Sequence, residues 1–168
     1  QRVFYVYHFI KFPDYGALSI AAPRNHAVRR DCKSKAEALA YALQYDSVVN
    51  SRVVGIDAAN LEIGCRPEVF ATAFRFLRSL SPRKGDTFAG QKIFPNIHVT
   101  YHVGEDFLDI ADGLRAIDEA IRFLLLGRGD RIGHALALGI DPELHYTFKR
   151  NRIILPKQDL LDNLVWLY

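Results

Sequence analysis

Apolar positions along the chain form two kinds of pattern, short continuous runs and helical stripes, and the two kinds alternate. Val3 to Phe12 (VFYVYHFIKF) is β-branched and aromatic and is bounded by Pro13-Asp14, which predicts a buried strand. A polar stretch with Arg24, Arg29, Arg30 and Asp31 follows. Ser34 and Glu37 then form a capping-box pattern ahead of an Ala/Leu-rich helix ending near Tyr45. Arg52 to Asp57 (RVVGID) predicts a second strand that finishes on a carboxylate. Pro67 suits a first helical position, and Val69, Phe70, Ala73, Leu77 and Leu80 supply one apolar face until Pro82 stops the helix. A loop over 83–92 leads to a third strand, Ile97 to His102. From Asp109 to about Leu126, Ile110, Leu114, Ile117, Ile121 and Leu124 recur at helical spacing, and Gly127 and Gly129 end the pattern. Asp130 to His134 predicts a fourth strand. Asp141-Pro142-Glu143 opens a short helix, and a further amphipathic helix starts near Pro156-Lys157.

Four predicted strands alternating with three longer helices indicate an α/β fold of parallel βαβ units. A doubly wound sheet and a piece of a (β/α)8 barrel both fit that order. A complete barrel takes about 250 residues, and this chain of 168 residues has half of the strands required. Both ends read as cut: the chain enters directly on an apolar run and ends on Leu164-Val165-Trp166-Leu167-Tyr168. An isolated set of this kind is expected to expose apolar strand edges and to self-associate, so a homo-oligomer is one expectation.

Composition narrows the class without naming a function. Nearly half of the residues are apolar and about a quarter charged, as in a soluble globular protein. The net charge of +3, with acids and bases well mixed, argues against nucleic acid and a membrane surface as partners. No stretch approaches the run of about 18 apolar residues that a membrane-spanning helix needs. The two cysteines, Cys32 and Cys65, show no CxxC spacing and read as free thiols of a cytoplasmic protein.

Polar residues gather at the C-terminal ends of the predicted strands, where parallel α/β folds build their sites. Asp57 ends the second, His102 the third and His134 the fourth. In His102-Val103-Gly104-Glu105, the imidazole suits a metal and Gly104 allows a sharp turn that returns Glu105 to the same pocket. A hydrogen-bonded strand-end His beside a helix-capping Glu is the plainer reading of that segment alone. Likewise His134, in Arg131-Ile132-Gly133-His134, is either a base near a metal or a structural His. His98 lies about 13 Å of strand rise from His102 and reads as a pocket floor. His8 reads as interior, His26 and His145 as surface, and Arg24, Arg29 and Arg30 as a solvated loop or a phosphate contact.

Taken together, Val54-Gly55-Ile56-Asp57-Ala58-Ala59-Asn60-Leu61-Glu62, then HVGE ending at Glu105, then RIGH ending at His134, resemble the adenosine/AMP deaminase branch of the amidohydrolase superfamily. The resemblance covers roughly residues 1–140 and implies the third to sixth strands of a partial (β/α)8 barrel, with 141–168 a helical insertion or extension. It implies zinc as cofactor, with His102 as a ligand. It makes Glu105 the acid that protonates a purine ring nitrogen and His134 the group that orients and helps deprotonate the attacking water. Asp57 and the segment after it, including Asn60, would bind the substrate, lining the pocket of a purine nucleoside or nucleotide. The reaction implied is hydrolytic deamination of adenosine or an adenine nucleotide.

Four departures accompany the resemblance. Asn60 stands where the family usually has Gly, and Ala135 follows the RIGH histidine where Gly is more usual. The His-x-His pair of the family's first strand occurs nowhere in this sequence, and no late-strand Asp ligand is present, so the chain alone is expected to bind zinc poorly and to be inactive. The competing readings are an inactive deaminase-like scaffold, as in some antiphage-defence assemblies, a barrel amidohydrolase of cyclic amides, and a flavodoxin-like module. The last would need a phosphate-cradling Gly-rich loop, and none is found.

Overall fold

The computed structural model describes residues 2–14, 24–81 and 95–168. Four parallel strands, β1 (Tyr5–Ile10), β2 (Val53–Ala59), β3 (His98–Val103) and β4 (Arg131–His134), lie side by side in the order in which they occur in the chain. Between them run α1 (His26–Tyr45), the short α2 (Ser47–Arg52), α3 (Ala71–Ser79) and α4 (Ile110–Phe123). After β4 come α5 (Pro142–Phe148) and α6 (Lys157–Leu167). A strand order without reversal, joined by crossovers of one hand, keeps successive helices on one face. The order lacks the reversal at which a doubly wound sheet opens its binding crevice.

The period-two alternation of the strands decides which face receives the helices. Phe9, Ala58 and Tyr101 sit in register and all belong to the core, with Ile56, Val99 and Val103 on the same face. Val28, Cys32, Ala36, Leu39 and Leu43 of α1, Phe74 and Leu77 of α3 and Ala116, Ile117 and Ala120 of α4 close that core. Phe74 meets Phe9 and Tyr101 with ring centroids 5.3 and 6.1 Å apart, so one aromatic side chain ties β1 to β3. The opposite face carries His8, Asp57, Thr100 and Arg131 in one register row, and Val6, Ile10 and Val54 on it remain exposed.

Several elements differ from the sequence expectations: Arg52, read as the start of the second strand, ends α2, and Pro67 opens a single 3-10 turn ahead of α3. The helix assigned to start at Ser34 begins at His26, and Ser34 and Glu37 lie inside it. Its buried spacing already runs from Val28, and its first turn is capped by a distant group, Asp14 Oδ2 accepting from Ala27 N at 2.7 Å. Arg29 and Arg30 are therefore helical, not part of a loop. The helix predicted to reach Leu126 stops at Phe123, because Leu125 turns to φ +56° ahead of the glycines. The proposed stop at Pro82 and the loop over 83–92 lie outside the described residues.

The C-terminal helix is tied to the body by charge. Arg115 of α4, 3% exposed, faces Asp162 at 3.4 Å and Asp159 at 3.9 Å, and Arg24 reaches Asp162 at 2.8 Å. Trp166 Nε1 donates to Asp118 at 2.9 Å. Arg66 and Asp112, both buried, form an ion pair at the centre of this layer.

Candidate active site

The strand ends deliver five polar side chains to one edge of the bare face. Asp57 is 3% exposed and uses both carboxylate oxygens on imidazoles: Oδ1 lies 3.0 Å from His102 Nδ1 and Oδ2 3.0 Å from His8 Nε2. With Nδ1 of His102 committed to a carboxylate, Nε2 is left as its free nitrogen, which is the arrangement that orients a metal-ligating histidine. The His102 ring lies 5.4 Å, centroid to centroid, from that of His134. His134 Nε2 in turn meets Glu105 Oε2 at 2.9 Å. The structure thus brings His102, Glu105, His134 and Asp57 together and adds His8, whose role the strand pattern did not single out.

Backbone conformation sets these positions. Gly104 takes φ +75°, and a Cβ there would come within 2.6 Å of Ile117 Cδ1, so the turn after β3 closes directly onto α4. Gly133 lets the His102 ring lie flat on β4: an added Cβ would stand 2.8 Å from His102 Cδ2. His134 itself has φ +65° and Ala135 φ +52°, and Ala135 N returns to the carbonyl of Val103 at 2.9 Å.

Behind the edge is a layer of buried charge. Glu62, 2% exposed, accepts from the backbone N–H groups of Gly104, Glu105 and Asp106. Lys11 has no exposed surface, donates from Nζ to the carbonyl of His102, and stands 4.4 Å above the Tyr101 ring centroid. Burial pulls its ammonium below the ordinary lysine value, against the opposing pull of Glu62, Glu105 and Asp57.

Asn60 is exposed at φ +93° and donates from Nδ2 to the Lys11 carbonyl at 2.9 Å, so its amide holds β1 to β2. His98 lies at the opposite end of β3 from His102, its ring against Gly129, and is half exposed on the bare face. His26 is exposed, whereas His145 is partly buried against Tyr146. Arg24 pairs with Asp162 and Arg29 donates to the Glu68 carbonyl at 3.0 Å, so both are engaged in holding helices together. Cys32 and Cys65 are free and buried, and burial pushes their thiols up to about 12 and about 11. Neither is a nucleophile in this setting.

Among the described residues no group of three or more His, Cys, Asp or Glu side chains is placed to hold a metal ion. His102 offers one fitted donor. No helix among them is long and apolar enough to cross a membrane. Neither a family model nor a curated protein of known function matches the chain.

Proposed function

We propose that the chain supplies consecutive strands of a (β/α)8 barrel that hydrolytically deaminates adenosine or an adenine nucleotide with zinc. One observation carries this reading: the Asp57–His102 pair stands beside the His134–Glu105 pair at the C-terminal edge of a sequentially ordered parallel sheet. Two of the departures from the resembled pattern also support it. Asn60 and Ala135, standing where that family usually has glycine, both take positive φ, the backbone region that glycine adopts without penalty.

His102 would hold the metal through Nε2, with the remaining ligands supplied by residues outside this chain. When bound, zinc would make a water acidic enough to lose its proton, and so act as a nucleophile, near neutral pH. Asp57 keeps His102 in the tautomer that leaves Nε2 unprotonated. His134 would take the proton of the attacking water and Glu105 would deliver one to the ring nitrogen beside the carbon under attack; the proton held by His134 then passes to the amino group, which leaves as ammonia. His134 and Glu105 are 2.9 Å apart, which supports their acting together as the two proton-transfer groups.

Deamination is tested on the full-length protein, by loss of ultraviolet absorbance on adenosine and on adenine nucleotides, with metal content measured in parallel. About one zinc per subunit and turnover on one of these substrates supports the reading. No zinc and no turnover favours an inactive scaffold that keeps the barrel.

A further inference from the structure

Three consecutive backbone N–H groups in the turn after β3 point at one buried carboxylate. Gly104, Glu105 and Asp106 donate to Glu62 at 3.1, 2.8 and 2.7 Å. Successive inward-facing N–H groups form a concavity suited to an anion, and here the anion is a side chain of the protein. The other end of the turn is held as well, because the Lys11 ammonium donates to the carbonyl of His102. Groups beyond β1 and β2 thus grip the turn that carries His102 and Glu105, from both of its ends.

Stability alone does not call for this arrangement. Burying an ammonium and a carboxylate is costly, and well-packed apolar residues often do as well in their place. What charge provides and apolar packing does not is direction: a carboxylate accepting three N–H groups fixes the rotation of each peptide plane. Glu105 lies in the middle of those three, and its carboxylate is 2.9 Å from His134. The polar atoms that would bind an oxyanion from solution are already satisfied, so this concavity acts on the turn and not on a ligand.

We propose that Glu62 is a positioning residue that aims Glu105 at the substrate, with Lys11 anchoring the other end of the same turn. The meaning of the aim rests on the deaminase reading; the grip itself does not.

Two readouts on the full-length protein separate the two. The first needs no variant: scalar couplings across hydrogen bonds, from the amide nitrogens of Gly104, Glu105 and Asp106 to Glu62 Cδ, are expected in the nuclear magnetic resonance spectrum. Their absence overturns the proposal. The second uses Glu62→Gln, which keeps the shape but turns an NH2 group toward N–H donors. Amide exchange at residues 104–106 should quicken at least about tenfold while that at Ile56 and Ala58 stays unchanged, since only local protection is lost. On a deaminated substrate kcat should fall about a hundredfold with KM unchanged, the size expected when a proton donor is misplaced. Unchanged exchange and unchanged kcat overturn the proposal. If the wild-type protein deaminates nothing, the deaminase reading falls, and the couplings still decide whether Glu62 grips the turn.

Discussion

Asp57 Oδ1 and His102 Nδ1 lie 3.0 Å apart, and the second oxygen of the same carboxylate is 3.0 Å from His8 Nε2. A carboxylate two residues before the end of β2 therefore sets the orientation of an imidazole on β3 and of another on β1. Asp57→Asn can accept from one ring at most, and its NH2 group would face the other. If the full-length protein binds zinc as proposed, its affinity should fall by about 10- to 100-fold, the range for removing such an outer partner. Competition against a chromogenic chelator measures it, and an unchanged affinity would separate Asp57 from metal binding.

Glu105→Gln keeps the volume of the side chain and removes its proton. Turnover should drop by about 10²- to 10⁴-fold, the range for a general acid, while bound zinc stays at the wild-type level. Loss of metal along with activity would instead show that Glu105 serves the architecture of the site.

Gly133 is where a methyl group meets a ring. In Gly133→Ala the added Cβ would fall 2.8 Å from His102 Cδ2 and 3.0 Å from Cγ, so the imidazole must leave its seat on β4. A destabilisation of about 1–3 kcal/mol is expected from such overpacking, together with a shift of the His102 ring resonances. Urea unfolding and imidazole spectra check both, and wild-type values for the two would mean that the ring does not rest there.

Glu119 of α4 makes stability depend on pH. Burial raises its carboxyl from 4.5 to about 7, partly opposed by Arg115, whose Nη1 is 3.5 Å away. The folded state then holds the proton more tightly than the unfolded chain does. This contribution to stability is complete below the unfolded value of 4.5 and is lost as pH rises through about 7. Wild-type stability measured by urea unfolding should therefore lose ground relative to Glu119→Gln between pH 4.5 and 7. A difference that stays constant across the window refutes this assignment.

The bare face of the sheet should drive association of the 168-residue chain. Val6, Ile10 and Val54 are 47%, 53% and 38% exposed in a sheet whose β1 and β4 edges have no strand partner among the described residues. Sedimentation velocity should show concentration-dependent self-association, reduced by Val6→Lys with Ile10→Lys. A monodisperse monomer that melts cooperatively would contradict it.

Much of the fold was legible because its signals are local. Four short strand-like segments, the stripe on α4 and the polar residues near the ends of the last three strands place His102, Glu105 and His134 at one edge without any tertiary information. The missed start of α1 shows the limit. Its cap is Asp14, thirteen residues before Ala27, whereas Ser34 and Glu37 carry a capping pattern that the buried stripe from Val28 overrides. Glu62 stood inside a recognised segment, but its partners are 42 to 44 residues further along the chain, and no spacing rule connects them.

Periodicity and the chemistry of single residues are properties of neighbours along the backbone, so the amino-acid order alone settled the strand and helix alternation and the types of group at the strand ends. The pairing of those groups was decided only by the folded sheet. Register sets His8 opposite Asp57, positive φ at Gly104 and His134 turns the chain back, and buried Lys11 meets a carbonyl 91 residues away. Those relationships arise from burial and hydrogen bonding summed over elements distant in the chain, and they come into being only once the core has closed.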